Sequence, residues 1–209
     1  MIGRRRKQSV AAKSRHARGF SMVELLVVLG IIMVIAGIAI PQITTSLRTY
    51  RLTSAASQIA DNIKFTRFEA IRKNSNMNFL ASWSGVRWGV GTDSNGDTTL
   101  QASERQYEVT GNLTLLTAAG VPTSAALPGA LSVPAITVLS GNLATQMIVF
   151  DPRGAVNFAL STGGVATVYV LYVGPTAQST QDYRAVVVMP SGITQVWAGN
   201  ASSAWHQIG

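Results

Sequence analysis

Polarity along the chain falls into four textures. Residues 1–19 are polar and basic. From Leu25 to Ile40 there is no charge at all, and almost every residue is apolar. The stretch Phe20–Ile40 holds 21 residues, and a helix rising about 1.5 Å per residue would reach roughly 31 Å, the thickness of a bilayer's hydrocarbon core. Pro41 closes the run. Beyond it, apolar residues recur at Ile43, Leu47, Leu52, Ala56, Ile59, Ile63 and Ala70, mostly at steps of three, four or seven. Charges from Arg48 to Lys73 fill the intervals. This period predicts that the helix continues past Pro41, bent or loosened there, as an amphipathic segment with one stripe for a sheet to cover. Phe65 or Phe68 should face inward.

After Asn74 the texture becomes short β-prone runs punctuated by Gly, Pro, Asn and Asp. Strands are expected near Asn78–Trp83, Val86–Val90, Glu104–Leu116, Ile136–Leu139, Met147–Phe150, Val156–Leu160, Val165–Val173, Arg184–Met189 and Thr194–Trp197. Turn chemistry separates them at Asn95-Gly96, Pro152-Arg153-Gly154, Gly163-Gly164 and Pro190-Ser191-Gly192, and two of these sites, Arg153-Gly154 and Ser191-Gly192, predict hairpins. The Ala-, Gly- and Pro-rich stretch from Thr117 to Pro134 reads as a surface loop.

Charge changes this picture less than its total suggests. The formal net charge is +8, which would ordinarily point to nucleic acid or an anionic surface. Residues 1–19 carry seven of the 17 Lys and Arg and none of the nine acids, so the rest of the chain balances at +1. The basicity belongs to the leader, where it would hold that end in the cytoplasm. There is no cysteine, which excludes disulfides, thiolate catalysis and zinc-thiolate sites. The two histidines are His16, in the leader, and His206, in a tail expected to be mobile.

The junction between leader and apolar run reads Arg18-Gly19-Phe20-Ser21-Met22-Val23-Glu24. A secretory signal would put its cleavage site after the apolar stretch, marked by small residues; here the marked site precedes it. The arrangement resembles the processing site of type IV prepilins and type II secretion prepseudopilins. That resemblance implies cleavage between Gly19 and Phe20 by a prepilin peptidase and N-methylation of Phe20. It also gives Glu24 an assembly role, pairing with the new amine of a neighbouring subunit and setting axial register. A carboxylate in a spanning helix costs about 2.5–3.5 kcal/mol at mid-bilayer and less near the interface, so a partner for it is required. Gly30 and Gly37, seven apart, could admit a neighbouring helix, although no GxxxG is present.

Later runs narrow the resemblance. Arg67-Phe68-Glu69-Ala70-Ile71-Arg72 ends the helix, and Trp88-Gly89-Val90 precedes an Asp/Asn/Gly turn. Ile148-Val149-Phe150-Asp151-Pro152-Arg153-Gly154 and Val187-Val188-Met189-Pro190-Ser191-Gly192 follow. Together they resemble the GspH/FimT family of minor pseudopilins and minor pilins. The resemblance implies an α+β, type IV pilin-like fold: a long N-terminal transmembrane and amphipathic helix packed on a β-rich, sandwich-like head. The expected organisation is a leader at 1–19 that is removed, an assembly helix at 20–41, its amphipathic continuation at 42–74, and a periplasmic head at 75–209. Other pilins or pseudopilins, a prepilin peptidase and the bacterial inner membrane are the expected partners.

Little else in the chain suggests chemistry. Asp93-Ser94-Asn95-Gly96-Asp97 places oxygen ligands at alternate positions, but its glycine comes before the third of them, whereas an EF-hand needs it directly after. A hairpin turn, with Asn95-Gly96 supplying positive φ, is the preferred reading. No G-x-S-x-G, H-E-x-x-H or P-loop occurs, so no catalytic residue, cofactor or metal is expected. Some relatives bind DNA through an Arg-rich C-terminal motif. Here the last basic residue is Arg184, and with so small a charge outside the leader nucleic acid is not an expected partner. Of the four tryptophans, Trp83, Trp88 and Trp197 read as core or edge cover, and Trp205, in a tail with little to bury, as a subunit-interface anchor. The expected function is that of a minor pseudopilin that helps initiate or cap a type II secretion pseudopilus. A type IV pilus minor pilin is the alternative, and an uncleaved membrane-anchored periplasmic binding domain the second.

Overall fold

The computed structural model describes residues 20–139, 145–164, 168–176, 182–200 and 205–209. The leader, Gly19 included, lies outside them. The chain forms two compact units, Met1–Thr45 and Ser46–Gly209.

Helix α1 spans Met22–Lys73. Its secondary structure runs through Pro41, whose missing N–H deprives the Gly37 carbonyl of its helical donor. On the other side, the hydroxyls of Thr44 and Thr45 donate to the Pro41 carbonyl at 2.8 and 3.1 Å. In the first unit the apolar side chains of this helix are exposed, and none of its most apolar 18-residue window is buried. Among the described residues it is one helix long and apolar enough to cross a membrane.

In the second unit, two sheets and residues 46–73 of α1 share a core. Strands β1 (Met77–Trp83), β2 (Trp88–Asp93), β3 (Gln106–Glu108) and β6 (Thr145–Phe150) form one antiparallel sheet in the order β3-β2-β1-β6. The other contains β4 (Leu113–Leu116), β5 (Ile136–Val138), β7 (Val168–Pro175), β8 (Tyr183–Val188), β9 (Thr194–Gly199) and β10 (His206–Gln207). Its order is β10-β9-β8-β7-β4, with β5 parallel to the first half of β7. Leu52, Ala56, Ile59 and Ile63 of the helix meet Phe79, Val90 and Ile148 of the first sheet and Tyr169, Leu171 and Val186 of the second.

Strand β7 is buried at every position, which a half-solvated strand could not be. Alternate residues explain it. Tyr169, Leu171 and Val173 face the helix, whereas Val168, Val170 and Tyr172 face a second cluster made by Leu116, Val121, Leu127 and Trp205. The stretch from Thr117 to Pro134 is therefore a cover over the sheet's outer face, not a loose surface loop. It contains two 3-10 turns, Ala118–Gly120 and Ser124–Ala126, and the short helix α2, Leu127–Leu131.

Other strand expectations shift for local reasons. The run Glu104–Leu116 splits into β3 and β4, which belong to different sheets. Gly111 and Asn112, at φ 74° and 63°, turn the chain between them. Val86 lies in the Ser84–Arg87 turn joining β1 to β2, not in a strand, with the Ser84 N–H donating to the Arg87 carbonyl at 3.0 Å. Val156–Leu160 yields one bridge, Phe150 to Val156, and then turns back along β6. There the Ser161 hydroxyl accepts from the Val149 N–H at 2.9 Å and Thr162 Oγ1 from the Met147 N–H at 2.8 Å. The tail is paired: β10 joins β9, and the Ile208 N–H donates to the Val196 carbonyl at 2.8 Å.

Candidate assembly site

Phe20 is 83 % exposed and precedes α1 by two residues. Glu24 lies in the first helical turn, the end where unpaired N–H groups favour a carboxylate. Among the described residues it joins no ion pair. Leu25, Leu26, Ile31, Ile32 and Val34, on all sides of the helix, are each more than half exposed. A surface of this kind is stable only in lipid or against other apolar helices.

Three of the four later sequence runs converge at the far end of the helix. Arg67 Nε donates to the Gly154 carbonyl at 2.9 Å, and the Val156 N–H donates to the Pro190 carbonyl at 3.0 Å. A methyl on Gly192 would strike the Gly154 carbonyl oxygen, and one on Gly154 would come within 2.7 Å of Ile71 Cδ1. Both glycines have φ near +80°, a conformation that L side chains resist. The two glycine turns thus clasp Arg67 and tie the helix end to β6 and to the β8–β9 hairpin. Asp151 braces the first turn, accepting from the N–H groups of Arg153 and Ala155, both at 2.9 Å. Burial raises its pKa, but those two N–H bonds and the Arg153 guanidinium outweigh it and hold the carboxyl below its ordinary range.

Other singled-out residues have local roles. Trp205 is only 5 % exposed; its indole N–H donates to the Thr123 carbonyl at 2.8 Å, and its ring lies 5.7 Å from that of Tyr172. It therefore fills the chain's own second cluster, which corrects the picture of a tail anchor with little to bury. Trp83 rests against Trp88 at 5.6 Å. Phe68 is 64 % exposed; Phe65 is the inward residue of the two, with the Arg105 guanidinium 4.5 Å above its ring. Arg153 is exposed, whereas Arg184 is buried, its Nε donating to Thr53 Oγ1 at 3.1 Å. Burial lowers the Arg184 pKa and Asp182 partly restores it.

The Asp93 loop is wider than a two-residue hairpin, and Gly96 and Thr98, not Asn95, take the positive φ angles. Asp93 accepts from the N–H groups of Gly96 and Thr98, and Glu104 from those of Ser94 and Gln101. The carboxylates thus brace the loop itself. Among the described residues no three acidic or histidine side chains gather as a metal site.

Comparison with known proteins bears on this architecture. The profile described as "Type II transport protein GspH" matches residues 55–192, well over half the chain. The chain belongs to the GspH family. A second profile, the prokaryotic N-terminal methylation motif, matches residues 14–40 of this GspH-family chain. No curated protein matches it in sequence. Two crystal structures of the type IV minor pilin FimU from Pseudomonas aeruginosa PAO1 resemble it at 15 % identity. One, in space group P65, has a TM-score of 0.45 and covers 73 % of this chain and 96 % of its own. The other, in P21, has a TM-score of 0.44 and covers 75 % and 93 %. GspH-family subunits are pilin-like structural proteins that assemble with other pilins in a filament.

Proposed function

We propose that the chain is a minor pseudopilin of a type II secretion system, helping to initiate or cap the periplasmic pseudopilus that drives protein export. In this reading a prepilin peptidase cuts between Gly19 and Phe20, and Phe20 is then N-methylated. The helix stands in the inner membrane with the head in the periplasm. The observation that carries it is the uncovered apolar stretch of α1 with one carboxylate, Glu24, a single helical turn from Phe20. Cleavage would place a cationic amine beside that carboxylate and bring another with each neighbouring subunit. Pairing in the stagger offsets the desolvation of both charges and sets register.

Intact mass of the protein from native membranes tests the first step. Loss of residues 1–19 with one added methyl supports the reading; a full-length chain refutes it and leaves a membrane-anchored periplasmic domain. A clean deletion strain tests the machine. Exoproteins trapped in the periplasm support the secretion pseudopilus, whereas normal secretion with lost surface piliation assigns the subunit to a type IV pilus.

A further inference from the structure

The tip of the β1–β2 hairpin is apolar and the head leaves it uncovered. Val86 is 77 % exposed and Trp83 38 % exposed, with Gly85 turning the chain between them at φ 91°. Arg87 stands beside them at the surface, its guanidinium 3.4 Å from the Glu108 carboxylate. Single exposed apolar residues are ordinary; an aromatic, an aliphatic and a cation together at one tip are not.

Contacts place this tip at the end of the head where α1 enters it. β1 begins at Met77, just after α1 ends at Lys73, so Trp83 is the end of β1 remote from the helix C-terminus. Trp83, Val86 and Arg87 share an open recess of about 250 Å³ with Asn112 and Thr176. The Thr176 N–H donates to the Asn112 carbonyl at 2.8 Å, and Thr176 follows β7, whose Val173 pairs with Arg184. Arg184 in turn bonds Thr53, and Asp182 accepts from the Thr49 hydroxyl at 3.2 Å. Thr49 and Thr53 stand near the start of the head, which begins at Ser46. The same stretch of helix carries Tyr50, 71 % exposed, with Arg48 and Arg51 beside it in sequence.

Chain connectivity and residue type together define what meets this end. Ser46 follows the close of the apolar run at Pro41 by five residues, so even a fully extended chain would keep it within about 18 Å of that point. With the apolar run in a bilayer, this end of the head is held beside the headgroups. Trp and Tyr concentrate where lipid meets water, because their rings are apolar and their N–H or O–H takes a hydrogen bond, and arginine pairs well with phosphate. Among the described charges of this end, Arg48, Arg51 and Arg87 outnumber Glu108 and Asp182, while Arg184 is buried. An excess of that sign is drawn to anionic lipid. The groups come from a helix and a hairpin, two elements that a broad surface can meet at once.

We propose that this end of the head docks on the lipid surface, with Trp83 and Val86 set into the headgroup layer and Arg51 and Arg87 against phosphates. The proposal rests on the reading above that α1 stands in the inner membrane.

The chain has no cysteine, so a nitroxide can be placed at one position at a time through Val86→Cys, Ile193→Cys or Ile32→Cys. Ile193 is exposed beside Gly192, at the end of the head where Arg67 is clasped, and Ile32 lies in the apolar run. Each labelled full chain is placed in nanodiscs of phosphatidylcholine and phosphatidylglycerol, and relaxation by oxygen is compared with relaxation by a water-soluble nickel chelate. Oxygen should dominate for the labels at Val86 and Ile32, and the chelate for the label at Ile193. Arg51→Gln combined with Arg87→Gln should lower the ratio of immersed to free label at Val86 at least about fivefold, the weight of one cationic side chain at an anionic surface, and leave the Ile32 label unchanged. A Val86 label in water while the Ile32 label is deep would overturn the docking and leave the membrane reading standing. An Ile32 label in water would overturn both. Equal immersion of the Ile193 and Val86 labels would overturn the proposal as well, since this end would not be singled out. An unchanged ratio in the double variant would overturn the phosphate contacts.

Discussion

One helix does two opposite things. In residues 22–45 of α1, apolar side chains lie on every side and stay exposed. In residues 46–73 they narrow to a stripe, and Leu52, Ala55, Ala56, Ile59, Ala60, Ile63 and Ala70 are buried. Secondary structure is the same in both, so the difference lies in what the apolar surface meets. A stripe needs a sheet of its own chain. An all-round apolar surface cannot be satisfied by one, and its stability has to come from lipid or from other helices. Substitutions in the strand-rich core and in the exposed apolar stretch are therefore expected to act separately.

The largest expected separation comes from Trp205→Ala, which should destabilise the head by about 3–5 kcal/mol because it empties the cluster against Tyr172. Thermal unfolding in detergent reads this directly. An unchanged midpoint together with lost assembly would instead make Trp205 an intersubunit residue. Ile59→Ala, in the buried stripe, should cost about 2–5 kcal/mol in the same experiment. Arg67→Ala removes the hydrogen bond to the Gly154 carbonyl and should cost about 1.5–3 kcal/mol. Retained stability there would mean that the two glycine turns hold the helix end without it.

Smaller still is an acid effect. The Asp151 carboxyl titrates below its ordinary value in the folded head. Its contribution is therefore fully present above the unfolded pKa of about 3.9 and is lost as pH falls through the lowered folded value. Asp151→Asn should flatten the head's stability in that acid range, as measured by urea midpoints below about pH 4. The smallest expected change is the contrast to Ile59. Ile32→Ala, in the exposed stretch, should move the head's unfolding by less than about 0.5 kcal/mol. A shift as large as that of Ile59→Ala would end the distinction between the two stretches.

Both textures of the helix were legible beforehand because period and charge are local properties. The prolonged apolar run, the carboxylate at Glu24 and the stripe through Ile59 and Ile63 needed no partner to be recognised. Strand existence was mostly legible for the same reason, and the Ser191-Gly192 hairpin follows from its turn residues. The run 104–116 misled because β propensity persists through it, whereas the φ angles of Gly111 and Asn112 divert the chain to another sheet. Phe65 and Phe68 are equally apolar, and only the packed helix decides which faces inward.

By itself, then, the sequence determined where the chain turns from basic to apolar to amphipathic to β-prone, and with that the kind of subunit it builds. Tertiary structure alone decided what covers what: that residues 117–134 and Trp205 roof the second sheet, and that Arg67 is clasped by two distant glycine turns. These are contacts between segments far apart in the sequence, 87 residues in the case of Arg67 and Gly154. They are set by how whole sheets and a helix fill space, and no local pattern encodes them.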